Sequence, residues 1–118
     1  MAYVIIINSS PLTALGSLSA YRFCQALITN NHQISLIFFI QDAVFNGISQ
    51  PEFPYDEFNL NEAWSEFAQH NKLILELCST ALIRRGINQD QLASGFKISS
   101  LANLYTILAA DQKVITFH

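Results

Sequence analysis

Four short apolar runs punctuate the chain: YVIIIN (3–8), QISLIFFI (33–40), KLILELC (72–78) and KVITFH (113–118), with GFKISS (95–100) as a weaker fifth. They are brief, rich in β-branched or aromatic residues, and largely lack the polar alternation of a half-exposed strand, which predicts strands buried on both faces. Between them the apolar spacing lengthens to a helical period. Over 17–30, Leu18, Tyr21, Ala26 and Leu27 fall near helical spacing, while Gln25 and Asn30 supply polar positions. Residues 60–70, 79–85 and 100–110 read the same way.

Strand and helix therefore alternate, which predicts an α/β fold: a parallel sheet of about five strands with helices on both faces, flavodoxin-like in outline. Right-handed crossovers place every strand's C-terminal end on one edge. The loops after Asn8, Ile40, Cys78 and Ser99 share that edge, where α/β proteins build their sites. No repeat, low-complexity tract or linker divides the chain, so residues 1–118 are expected to form a single domain. The one irregular stretch, FNGISQPEFPYDEFNLN (45–61), holds two prolines and four aromatic residues and is long for a compact domain. It reads either as a packed surface loop or as a lid or partner-contacting segment.

A hydrophobic content of 51% over 118 residues suffices for one core. A net charge of -3 with only six Lys and Arg leaves too little positive charge to grip nucleic acid directly. Cys24 and Cys78 form no CxxC pair, and no Cys/His cluster has zinc-ligand spacing, which disfavours a disulfide scaffold and a structural metal. The start MAYVIIIN has neither a basic n-region nor a small-residue cleavage site. No stretch approaches the roughly 18 apolar residues of a membrane span. The reducing cytosol is the expected compartment.

Against this background Cys78 is the candidate for chemistry. It ends the third strand and precedes the helix-compatible STALIRRG, so its thiol is expected beside a helix N-terminus, where unpaired N–H groups favour the thiolate. The opposing reading is that a cysteine in an apolar run is an inert core residue. Acyl transfer would need an adjacent histidine as base. His32 and His70 precede their strands, at the opposite edge, and a seven-residue strand is about 23 Å long. His118 is on the correct edge but, as the last residue, is expected to be mobile. Sulfur transfer demands less, since exchange at sulfur requires an accessible thiolate and no separate base.

The neighbours of Cys78 pull in different directions. Glu76, two positions earlier on the same strand face, would lie about 7 Å away and disfavour the thiolate. Arg84 and Arg85 fall about 10 Å away at the far end of the helix, where stabilising that helix's C-terminus before a Gly86 cap explains them better. Cys24, in YRFCQALI, reads as packed core. The hydroxyl-rich loop NSSPLTALGS (8–17) has the composition of a phosphate loop but neither a GxxxxGK[ST] nor a GxGxxG pattern. Asp42, Glu52, Asp56 and Glu57 show no acid/base pairing and read as solvated loop charges.

The chain as a whole resembles the DsrE-like proteins, and within them the TusD (DsrE) type of subunit of the TusBCD and DsrEFH sulfur-relay complexes. The resemblance runs through SSPLTALGSLSAYRFCQALI, IFFIQDAVFNG, DEFNLNEAW, LELCSTALIRRGI, FKISSLANL and ADQKVITFH. FFIQDAVFNG and the C-x6-RG arrangement of Cys78, Arg85 and Gly86 are its most specific parts. The stretch INQDQLASG is shorter than such subunits lead one to expect, and the loop around Pro51 to Tyr55 matches loosely.

The resemblance implies a parallel sheet sandwiched by helices and a sulfurtransferase whose persulfide-bearing cysteine is Cys78. It implies a TusA-like donor, a TusE-like (DsrC-like) acceptor, and TusB-like and TusC-like partners in a heterohexamer, with a homo-oligomer as the alternative. The sulfur would serve tRNA wobble 2-thiouridine or, in a Dsr-type system, sulfur oxidation, with no metal or organic cofactor. Two other functional readings stand beside it: a non-catalytic structural subunit whose Cys78 is merely packed, and a nucleotide or small-ligand module built on the 8–17 loop. For an oligomer, the expected contact surfaces are the loop with Phe53, Tyr55 and Phe58 and the helix end with Arg84 and Arg85.

Overall fold

A computed structural model of the chain describes residues 2–50, 53, 54 and 56–118. All five apolar runs become strands: β1 (Ala2–Ile7), β2 (Gln33–Phe39), β3 (Leu75–Cys78), β4 (Phe96–Ser99) and β5 (Gln112–Phe117). The helical segments become α1 (Gly16–Thr29), α2 (Leu60–Asn71), α3 (Ser79–Arg84) and α4 (Leu101–Leu108). β3 starts three residues later than the apolar run suggests. Lys72 takes a left-handed conformation (φ 56°), and the N–H groups of Lys72 and Leu73 both return to the Ala68 carbonyl, so these residues close α2.

The strands form one parallel sheet in the order β4-β3-β2-β1-β5. The parallel α/β plan is the expected one, although flavodoxin itself has the order 2-1-3-4-5. From β1 to β4 the chain steps steadily in one direction, then crosses three strands to reach β5. Right-handed connections consequently put α1, α2 and α3 on one face and α4 alone on the other. The contacts agree: Phe23 of α1 packs on Tyr3 and Phe117, and Trp64 of α2 packs on Phe39. On the opposite face, Asn103 of α4 bonds Glu76 of β3.

Residues 41–47, between β2 and the irregular loop, form a 3-10 segment that hydrophobic periodicity does not reveal. It carries a fully buried polar residue, Asn46. The Asn46 amide donates to Ser17 Oγ (3.0 Å) and the Ala43 carbonyl (2.8 Å), and its Oδ1 accepts from Trp64 Nε1 (3.1 Å). Ser17 Oγ donates in turn to the Ser9 carbonyl (2.7 Å). This chain of bonds ties α1, α2 and the first loop around the C-terminal edge of the sheet. Gly47 completes the packing, because a Cβ there would stand 2.6 Å from Leu77 Cδ1. The loop that follows is packed against the fold at its start, where Asn61 Nδ2 donates to the carbonyls of Phe45 (2.9 Å) and Ile48 (2.8 Å). Glu52 and Tyr55 lie outside the described residues.

Candidate active site

The strand order itself selects a position. At the C-terminal edge, the chain leaves β3 toward one face of the sheet and leaves the adjacent β4 toward the other. A crevice opens at such a switch point in parallel α/β sheets. Cys78 is the last residue of β3 and Ser99, its register partner, the last of β4. The cysteine singled out by sequence is therefore at the topological switch point.

Cys78 is also the residue on which α3 begins: its backbone is still extended (φ -64°, ψ 120°), and Ser79 starts the helix. The thiol belongs to the α4 face, shared by alternation with Glu76, while Leu75 and Leu77 fill the core on the other face. Cys78 is only 4% exposed. Glu76 is equally enclosed at 8%, and its Oε1 accepts from Asn103 Nδ2 at 3.0 Å. The same amide nitrogen donates to Ser99 Oγ at 3.1 Å. Asn103 escaped the sequence reading, because its link to Glu76 spans 27 residues, and Ser99 entered it only as a strand end; the local signal was an N-cap pattern, Ser100 accepting from the Asn103 N–H (3.2 Å).

The other candidates separate clearly. Arg85 donates through Nε to Asp42 Oδ1 (2.9 Å), with a second nitrogen 2.7 Å from the same oxygen, and through its remaining nitrogen to the Ala81 carbonyl (3.1 Å). It thus ties the end of α3 to the 3-10 segment, near the helix-terminus role expected of it. Arg84 is exposed. His32 and His70 lie at the sheet's N-terminal side, before β2 and at the end of α2. His118, expected to be mobile, is held instead: its Nδ1 pairs with Asn8 Nδ2 at 2.7 Å, and its main-chain carbonyl sits where a Gly16 side chain would be. Cys24 is fully buried in α1, and burial pushes its thiol up to about 12.

In the 8–17 loop, Ser10 Oγ accepts from the Leu12 N–H (3.2 Å) and Ser17 bonds the Ser9 carbonyl, so those hydroxyls are engaged with the chain itself. A cleft of about 730 Å³ opens elsewhere, lined by Phe58, Glu62 and Ser65 among others, and includes none of the residues around the thiol. It flanks the irregular loop. Among the described residues no group of three or more His, Cys, Asp or Glu side chains is placed to hold a metal ion.

The fold is a parallel α/β sheet with Cys78 at its switch point and His32 and His70 on the opposite side. The profile of the DsrE/DsrF-like family matches residues 1–117. The chain belongs to the DsrE/DsrF-like family. Relatives include a sulfurtransferase TusD homolog of Vibrio parahaemolyticus, 33% identical with 99% of this chain and 98% of the relative covered. Another from Haemophilus influenzae is 35% identical over 98% and 99% of the two chains, and sulfurtransferase TusD of Photorhabdus laumondii is 30% identical over 99% and 98%. These matches make the protein a sulfurtransferase. The Vibrio alignment runs over 128 positions, more than the 118 residues here, so that relative carries residues this chain lacks. The crystal structure of the ychN protein from E. coli superposes with a TM-score of 0.85 at 28% identity over 99% of both chains. A protein of unknown function from Methanobacterium thermoautotrophicum shares the fold, with a TM-score of 0.74 at 14% identity over 98% of this chain and 99% of that one. No helix among the described residues is long and apolar enough to cross a membrane.

Proposed function

We propose that this sulfurtransferase carries sulfur as a persulfide on Cys78, within a relay between two protein thiols. The observation that supports the reading most is the placement of Cys78 at the β3/β4 switch point, with His32 before β2, His70 at the end of α2 and His118 after β5, which β2 and β1 separate from β3. The Cys78 thiolate attacks the outer sulfur of a donor persulfide. A new S–S bond forms at Cys78 while the donor's S–S bond breaks, and the donor leaves as a thiolate. An acceptor thiolate then attacks the outer sulfur held on Cys78 and regenerates the Cys78 thiolate. The two steps balance without oxidant, metal or separate base. By family resemblance the donor is TusA-like and the acceptor TusE-like (DsrC-like), in the cytoplasm. The destination is 2-thiouridine at tRNA wobble positions, with a Dsr-type sulfur-oxidation relay as the alternative. Radiolabelled sulfur should pass from a persulfidated TusA-like carrier to the protein and on to a TusE-like acceptor. Direct donor-to-acceptor transfer at the same rate without this protein would contradict the relay.

The 4% exposure of Cys78 favours a second reading, a structural subunit whose thiol is merely packed. Alkylation of the native protein separates the two: a sulfur carrier reacts near neutral pH, whereas a packed thiol waits for unfolding.

The relay partners also need a surface. Residues 98–110 contain no charged residue, and Leu101, Tyr105 and Val114 are 39%, 65% and 46% exposed. Apolar area of this kind ordinarily meets a partner. Phe58 is exposed as well, whereas the Arg85 guanidinium is engaged by Asp42 within the chain. TusB-like and TusC-like subunits, or further copies of this chain, are the proposed occupants. Light scattering at micromolar concentration should show an oligomer alone or with those partners, and a monomer under both conditions would refute the assembly.

A further inference from the structure

The Asn103 side chain joins β3, which ends in Cys78, to the adjacent β4. Its Nδ2 donates to Glu76 Oε1 (3.0 Å), two residues before the thiol on β3, and to Ser99 Oγ (3.1 Å), opposite the thiol on β4. Its backbone N–H closes the first turn of α4 on Ser100 Oγ (3.2 Å). Glu76 is 8% exposed, and the ion pair found among the described residues is Arg85 with Asp42, not one involving Glu76. Lys97, its register partner on β4, is exposed and remains outside ion-pair distance. On the other side β2 presents Phe38, and α4 carries no charge. An enclosed carboxylate next to the thiol thus has its hydrogen bond from a neutral amide. A carboxylate two residues from the thiol on the same strand face opposes the thiolate, and a hydrogen bond donated to it favours the charged form and fixes its direction.

We propose that Asn103 is a positioning residue for sulfur transfer: its carboxamide, bridging Glu76 and Ser99 across β3 and β4, fixes the Glu76 carboxylate in place and so sets the pH at which the Cys78 thiolate forms. The inference rests on Cys78 as the sulfur carrier. The bond is tested by exchanging its donor and acceptor and following Cys78 alkylation in the native protein as a function of pH, with thermal melting alongside. Asn103→Asp sets two carboxylates against each other beside the thiol. It should slow alkylation near neutral pH by about tenfold and carry the pH–rate profile to higher pH. Glu76→Gln keeps an oxygen to accept from Asn103 while removing the charge, and should speed alkylation several-fold and carry the profile to lower pH. The double variant combines Glu76→Gln with Asn103→Asp, so that an amide on β3 donates to a carboxylate on α4. It restores both net charge and bond, and should return the profile to within about threefold of the wild type.

If Asn103→Asp is too unstable to assay, Glu76→Gln and the double variant decide by themselves. Unchanged profiles in the folded single variants, or a folded double variant no better than Asn103→Asp, would overturn the proposal. A wild-type protein that never takes sulfur on Cys78 would refute the carrier assignment instead, while the alkylation profiles still report on Asn103.

Discussion

Cys78→Ser is expected to abolish sulfur loading, leaving only background, while Cys24→Ser loads like the wild type. A hydroxyl cannot replace the thiol, since formation of the carrier persulfide requires sulfur at the attacking position. The variant should remain folded, which makes the loss interpretable: residue 78 precedes the first residue of α3, a position where serine is among the preferred residues, so stability should change by less than about 1 kcal/mol. Cys24 is the internal control. It is fully buried and its thiol is pushed up to about 12, so it stays protonated and shielded from a protein-sized donor. Loading that survives in Cys78→Ser and disappears in Cys24→Ser would reverse the assignment.

The second large effect is on stability and lies away from the thiol. Asn46→Leu nearly conserves volume, but it removes the acceptor of Trp64 Nε1 and the donors to Ser17 and Ala43, all around a residue with no solvent exposure. A buried polar group left unpaired costs about 1–3 kcal/mol; Trp64 Nε1 loses its acceptor and the Ala43 carbonyl a donor, while Ser17 keeps its bond to the Ser9 carbonyl. We expect a loss of about 3 kcal/mol, a fall in melting temperature of about 10 °C for a domain of this size. Asn30→Ala is the contrast, since its amide bonds the Ala26 carbonyl at an exposed helix end and its loss should cost under about 1 kcal/mol. If the two variants melted within about 3 °C of each other, the buried network would not be a principal constraint at this edge.

The sequence displayed some of this directly. Runs such as VIII in β1 and LIFF in β2 lack alternation because α1 and α2 cover one face of the sheet and α4 the other, so burial on both faces is written into composition. Cys78 was legible for a related reason: a strand–helix junction is a local pattern, and parallel topology carries every such junction to one edge. How fully Cys78 is buried was not legible, since burial depends on packing between elements distant in the chain. Asn46 and Asn103 were missed on the same ground, since the partners that tie them to other elements, Ser17, Trp64 and Glu76, are 18 to 29 residues away in the chain. A lone asparagine carries no periodic signal. His118 shows the converse error, where position at the chain end suggested mobility but the bond to Asn8 spans the whole sequence separation of 110 residues. The 3-10 segment after β2 is too short to establish an amphipathic period, and the close approach of Gly47 to Leu77 within it went unread in the sequence.

The most direct test of the central claim is mass spectrometry of the native protein after incubation with a persulfidated carrier, followed by peptide mapping before and after reduction. The mapping should find a single added sulfur atom on the peptide containing Cys78, removable by reductant. Sulfur on the Cys24 peptide, or none on a folded protein whose Cys78 still alkylates at neutral pH, would contradict the claim.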